Sequence, residues 1–143
     1  LRGCDGVKLK DRWRGNLSTF VGVMVDGFPN MFMQMGPHTA LGNIPRSIEY
    51  GVEWVRDLLA HMQAHDLTLA DARSEAVRNW TSFVAKKAEG LLSNEVDSWM
   101  TGVNMNVDGK QTRIVARYSG TAGEYRDWCN RVAAEGYREI AMG

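Results

Sequence analysis

The stretch from Gly36 to Trp54, G-P-H-T-A-L-G-N-I-P-R-S-I-E-Y-G-V-E-W, constrains this chain more than any other. A short apolar run, Met31 to Met35, stops at Gly36-Pro37, a loop runs through His38 to Gly42, and Asn43 opens a helix. Asn is among the strongest N-cap residues, and Pro45 falls in the first turn, where a missing N–H costs nothing. A strand, a tight loop and a helix start aim free backbone N–H groups at an electron-rich group. An ordinary turn and an ordinary cap have the same local signature, so this pattern alone does not separate the two.

The helix that follows has a clear period. Apolar residues recur at Ile44, Ile48, Val52, Val55, Leu59 and Met62, which predicts one buried face. Glu49 and Glu53 lie towards its N-terminal half and His61 and His65 near its end, in keeping with the helix dipole. The two histidines are spaced i, i+4, but no third ligand cluster accompanies them, so no metal site is expected. Before this helix, Phe20 to Val25 and Met31 to Met35 read as two short buried strands joined through Asp26-Gly27 and Pro29-Asn30. Met24, Met31, Met33 and Met35 read as core filler.

Beyond it, Thr68-x-x-Asp71 reads as a capping box for a second helix, with Ala72, Ala76, Trp80, Phe83, Val84 and Leu91 as the buried stripe. Asp97 to Lys110 has no period and reads as a loop. Arg113 to Tyr118 alternates as a half-exposed strand. Thr121-x-x-Glu124 opens a third helix with Tyr125, Trp128, Cys129 and Val132 inward, ended by Gly136. These elements predict an α/β to α+β chain, with three main helices around a few short strands.

Composition excludes several functions. The 143 residues suit one compact unit, and 44% apolar with 24% charged residues permits a core. The 17 basic and 17 acidic residues cancel and are interspersed, which argues against a nucleic-acid partner. No apolar run is long enough to span a bilayer and no leader is seen, so no membrane is expected and the chain is assigned to the cytoplasm. Cys4 and Cys129 are expected as reduced thiols, Cys129 an inert one at a core position. The sequence holds no G-x-S-x-G, H-E-x-x-H, C-x-x-C or P-loop.

The order and spacing of several short motifs are more specific than any one of them. Gly27-Phe28-Pro29-Asn30-Met31-Phe32, Gly36-Pro37, Asn43, Ser47-Ile48-Glu49 and Val52-Glu53-Trp54 resemble the C-terminal part of the Baeyer–Villiger monooxygenases, relatives of the flavin-containing monooxygenases. The resemblance continues through Ser98-Trp99, Gly102-x-Asn104, Tyr125-Arg126 and Gly136-Tyr137 and so covers nearly the whole chain.

That resemblance implies an NADPH- and FAD-dependent enzyme that inserts one oxygen of O2 beside a ketone carbonyl to give an ester or lactone. A sister class that oxygenates nitrogen or sulfur is the alternative, and a non-catalytic packing or binding module is the reading for the chain alone. Family members are several times longer, with two G-x-G-x-x-G turns upstream, so the chain is expected to be a fragment with an incomplete dinucleotide-binding fold. Residues 1–16 would be an irregular interdomain connection and residues 17–143 the last segment of the FAD domain. The partners would be a ketone substrate and the missing N-terminal FAD and NADP domains. The catalytic arginine is expected outside the chain. The resemblance sets Asn43 and Ile44 against the flavin and Trp99 against the nicotinamide cofactor. It puts His38, Thr39 and Leu41 beside the substrate pocket, although the loop is shorter than the family's G-P-G-S-P-S.

Overall fold

The computed structural model describes residues 1–40, 42–91, 97, 101, 103, 106 and 113–143. Among these residues the chain forms four α-helices and one two-stranded antiparallel sheet. Helix α1 is Leu9–Arg12, α2 is Ile44–Ala64, α3 is Ser74–Ala88 and α4 is Ala122–Ala134. Strand β1, Ala70–Ala72, pairs with β2, Ile140–Met142, in the register Ala70↔Met142, Asp71↔Ala141 and Ala72↔Ile140. A 3-10 turn, Cys4–Gly6, precedes α1.

The caps follow local chemistry. Asn43 caps α2 through its side chain, and Thr121 caps α4 by accepting the Glu124 N–H at 3.1 Å. The carboxylate of Glu124 does not close the box back onto Thr121. It accepts from the Tyr118 hydroxyl at 2.5 Å and pairs with Lys87 at 2.6 Å. Gly136, with φ of 72°, turns the chain out of α4 in a conformation that costs glycine little.

One core joins these elements. Trp54, Leu58 and Met62 from α2 meet Val77, Trp80 and Val84 from α3, and Tyr125, Cys129 and Val132 from α4, around the buried segment Phe20–Met24. Trp80 is at the centre of an aromatic cluster, 5.5 Å from Tyr118, 5.8 Å from Tyr125 and 5.1 Å from Trp128, centroid to centroid. Such edge and offset contacts add to the area they bury.

Five sequence expectations are corrected. Phe20–Val25 is buried but is not a strand: Phe20 and Met24 form a single bridge around a tight turn, with Val21 and Gly22 at positive φ. Apolar content marks burial equally in a turn and in a strand, and this run has no neighbouring ladder to extend it. Met31–Met35 and Arg113–Tyr118 likewise form no ladder; the latter touches Ala40 through one parallel bridge at Tyr118.

Thr68-x-x-Asp71 does not cap a helix. Residues 70–72 pair with β2 instead, α3 starts at Ser74, and both carboxylate oxygens of Asp71 accept the Gly27 N–H at 3.0 Å. Tertiary pairing outweighs the local cap signal here. On α2, finally, Met62 is buried as expected but Ile44, Ile48, Val52 and Leu59 are exposed, and the inward side chains are Trp54, Leu58 and Met62.

Candidate functional site

The start of α2 combines an accessible position with unmet hydrogen-bonding capacity. Asn43 Oδ1 accepts the Arg46 N–H at 3.2 Å, and the Asn43 carbonyl accepts the Ser47 N–H at 3.0 Å. Pro45 has no N–H, and the Ile44 N–H has no acceptor among the described residues. Among the described residues the first turn therefore leaves the Ile44 N–H as a backbone donor without a partner, at the positive end of a 21-residue helix.

The loop before it is held rigidly. The Thr39 hydroxyl donates to the Gly36 carbonyl at 2.8 Å, closing the Gly-Pro turn. The His38 N–H donates to the Ala116 carbonyl at 3.0 Å and the Tyr118 N–H to the Thr39 carbonyl at 3.2 Å, which fastens the loop to residues 113–118. Underneath lies Gly22, where φ is 69° and a Cβ would collide with the Thr39 methyl group. The carbonyl of Val21 in the same turn accepts from the Tyr125 hydroxyl at 2.7 Å, which ties it to α4.

His38 is almost fully buried, with φ of 69°. Its Nε2 lies 2.9 Å from the Val115 carbonyl, an acceptor only, so that nitrogen carries the proton and donates. Its Nδ1 lies 3.2 Å from the Thr19 hydroxyl, which is also 3.1 Å from the Pro37 carbonyl. Burial holds the imidazole below its ordinary pKa, against the smaller upward pull of the Val115 carbonyl. It is a neutral clamp rather than a poised base.

His38 and Thr39 do not share a wall. His38 borders a surface depression with Leu17, Thr81 and Ile114. Thr39 borders a cavity of about 20 Å³, room for roughly one water, with Met33, Ser47, Tyr50 and Arg126. Asn43 and Ile44 sit together at the helix start. Leu41 and Trp99 lie outside the described residues, as do Ser98, Gly102 and Asn104.

The Cys129 thiol is buried on α4, and burial pushes its pKa up to about 12, with the Tyr125 and Tyr50 hydroxyls opposing. It is an inert thiol. Among the described residues no three His, Cys, Asp or Glu side chains are grouped to hold a metal ion, and no helix is long and apolar enough to cross a membrane. What the site supplies is backbone polarity on a firm support.

Two residues of the short motifs have structural roles that spacing did not disclose. Asn30 clamps β1: its N–H donates to the Ala70 carbonyl, its Oδ1 accepts the Ala70 N–H, and its Nδ2 donates to the Thr68 carbonyl, all within 3.0 Å. Trp54 donates its indole N–H to the Cys129 carbonyl at 3.0 Å, joining α2 to α4. Its i, i+4, i+8 relation to Leu58 and Met62 was the signal available.

No family model matches the chain. It is 36% identical over 142 residues to a phenazine N-monooxygenase of Lysobacter antibioticus, an alignment covering 99% of this chain and 26% of that protein. It is 35% identical over 140 residues to a cyclohexanone 1,2-monooxygenase of Acinetobacter, covering 96% of this chain and 25% of that protein. Among solved structures, cyclohexanone monooxygenase from Rhodococcus sp. Phi1 bound to NADP+ matches at a TM-score of 0.91 and 35% identity, over 99% of this chain and 26% of that one. OTEMO in complex with FAD and NADP matches at a TM-score of 0.87 and 27% identity, again over 99% and 26%. The chain thus spans about a quarter of the length of the relatives it matches. By sequence and by fold, over that quarter, it belongs with the Baeyer–Villiger monooxygenases.

Proposed function

We propose that this chain is the C-terminal segment of the FAD domain, an incomplete dinucleotide-binding fold, of an NADPH- and FAD-dependent monooxygenase. The reaction is insertion of one oxygen of O2 beside a ketone carbonyl, giving an ester or lactone. The observation that carries this reading is similarity along the whole chain, in sequence and in backbone, to cyclohexanone monooxygenases. In this reading residues 1–16 connect two domains and residues 17–143 complete the FAD domain.

The described residues fit part of a flavin. The Ile44 N–H, without an acceptor among the described residues, suits the electron-rich edge of the ring, and Asn43 caps the helix start that carries it. No G-x-G-x-x-G turn occurs in the 143 residues, so the phosphates would be held by other parts of the intact protein. The bound flavin supplies the redox and oxygen chemistry. This chain's own part is to hold a dipole at the ring edge and to wall the pocket through the His38–Leu41 loop. Trp99 would lie against the nicotinamide cofactor, where an indole offers an apolar slab and one N–H donor.

The test uses the intact protein with NADPH, O2 and cyclohexanone. The expected product, by mass spectrometry, is the lactone formed with one oxygen atom from 18O2, with NADPH consumed in proportion. An N-oxide from an aromatic amine such as phenazine, with no lactone, would place the enzyme in the nitrogen-oxygenating class instead.

A further inference from the structure

Helix α2 carries more apolar surface than the described residues cover. Trp54, Leu58 and Met62 face the core, and beside them on the helix run Ile44, Ile48, Val52, Val55 and Leu59. Four of these five are open to solvent, at 53%, 40%, 51% and 46% exposure for Ile44, Ile48, Val52 and Leu59. At about 100° per residue the two sets form adjoining arcs that together take up roughly 160° of the helix. The remaining arc holds Arg46, Glu49, Glu53, Arg56 and Asp57. Four of the eight side chains on this arc are open to solvent, so the arc has a second half that the described residues do not cover.

We infer that the Ile44–Leu59 stripe is the seam on which the rest of a full-length monooxygenase packs, within the same polypeptide. This rests on the family reading above and adds to it the surface through which the quarter meets the whole. The chain aligns over 99% of its length with a solved cyclohexanone monooxygenase of which it makes up 26%, at a TM-score of 0.91, so the matching helix belongs there to a chain about four times as long. The stripe also begins at Ile44, whose N–H lacks an acceptor among the described residues, so whatever covers the stripe lies beside the helix start. A second copy of this chain is a poorer occupant. Five aliphatic side chains along about four turns fall short of the roughly 800 Å² per partner that stable pairs bury.

The test reads thiol reactivity at position 52, in a Cys4→Ser background because Cys4 is exposed and Cys129 is buried. Val52→Cys and Glu53→Cys are each made in the 143-residue chain. Each is also made in a polypeptide where this chain replaces the matching quarter of the Acinetobacter cyclohexanone monooxygenase. Maleimide labelling is followed peptide by peptide by mass spectrometry. The expected result is equal labelling of the two sites in the short chain. In the joined protein, Val52→Cys should slow by at least about tenfold while Glu53→Cys does not.

Equal rates at both sites in the joined protein would overturn the inference. So would a short chain that sediments as a dimer with Val52→Cys protected, since a second copy would then own the face. A joined protein found only as aggregate, where the unaltered monooxygenase is soluble, also counts against it. Flavin content and product play no part in this readout. Protection without lactone formation would sink the catalytic reading alone, and lactone formation without protection would sink only this one.

Discussion

His38 shows how one buried side chain converts burial into pH dependence. In the folded chain its imidazole is neutral, donating to the Val115 carbonyl, and burial depresses its pKa below the unfolded value of about 6.5. The sign follows from proton counting: just below pH 6.5 the unfolded chain binds more protons than the folded one, so stability rises with pH there. The contribution is complete above about 6.5 and is lost as the pH falls from there through the depressed folded value. His38→Gln keeps a donor for Val115 without titrating. Melting temperatures of the two chains between pH 7.5 and 5 should therefore diverge, the wild type falling more steeply; parallel curves would refute the assignment. Asn43 is a simpler case. Its side chain satisfies the Arg46 N–H, and Asn43→Ala should cost about 1 kcal/mol in urea unfolding, with Asn43→Asp close to neutral.

At the scale of elements, α3 is organised by Trp80, which is fully buried against Tyr118, Tyr125, Trp128 and Phe83. Its indole N–H has no hydrogen-bond partner among the described residues, so among these the residue is held by packing, with an unmet donor as a cost. Trp80→Ala should lose about 3–5 kcal/mol. Trp80→Phe should lose less than half of that, because it keeps most of the ring contacts and removes the orphan donor; equal losses would mean that the N–H matters. The α3 stripe was readable because Ala76, Trp80 and Val84 serve one partner, the core of this chain. The Asn43 and Thr121 caps were readable because capping needs only neighbours in sequence. The face of α2 was misread for the opposite reason. Two apolar periods overlap there, and four of the five side chains of the longer one, Ile44, Ile48, Val52 and Leu59, are exposed while only Val55 packs against the core. In Phe20–Val25, apolarity reported burial correctly and said nothing about the tight turn that Gly22 allows.

For the molecule as a whole, the division of labour in flavin binding is the decisive expectation. A dinucleotide is held largely through its phosphates, by glycine-rich turns that let backbone N–H groups approach closely at a helix start. In this chain the helix start at Asn43 follows a loop that is bonded to residues 113–118, and the loop's glycines, Gly36 and Gly42, are not in a G-x-G-x-x-G array. A free donor at Ile44 would suit a ring edge, while the sequence has no G-x-G-x-x-G turn to cradle the two phosphates. Contacts to the ring alone, without preorganised phosphate donors, leave most of a dinucleotide's polar surface facing water. The 143-residue chain by itself should therefore release FAD during gel filtration, emerging colourless after incubation with excess flavin. A yellow peak retaining one flavin per chain would show that the C-terminal segment carries a complete site. The same experiment on a polypeptide that restores the other three quarters should give a stoichiometric yellow protein. In that protein Asn43→Ala should leave the flavin content unchanged while altering its absorbance near the long-wavelength band, since in the proposed arrangement the helix start it caps would meet the ring edge and not the phosphates.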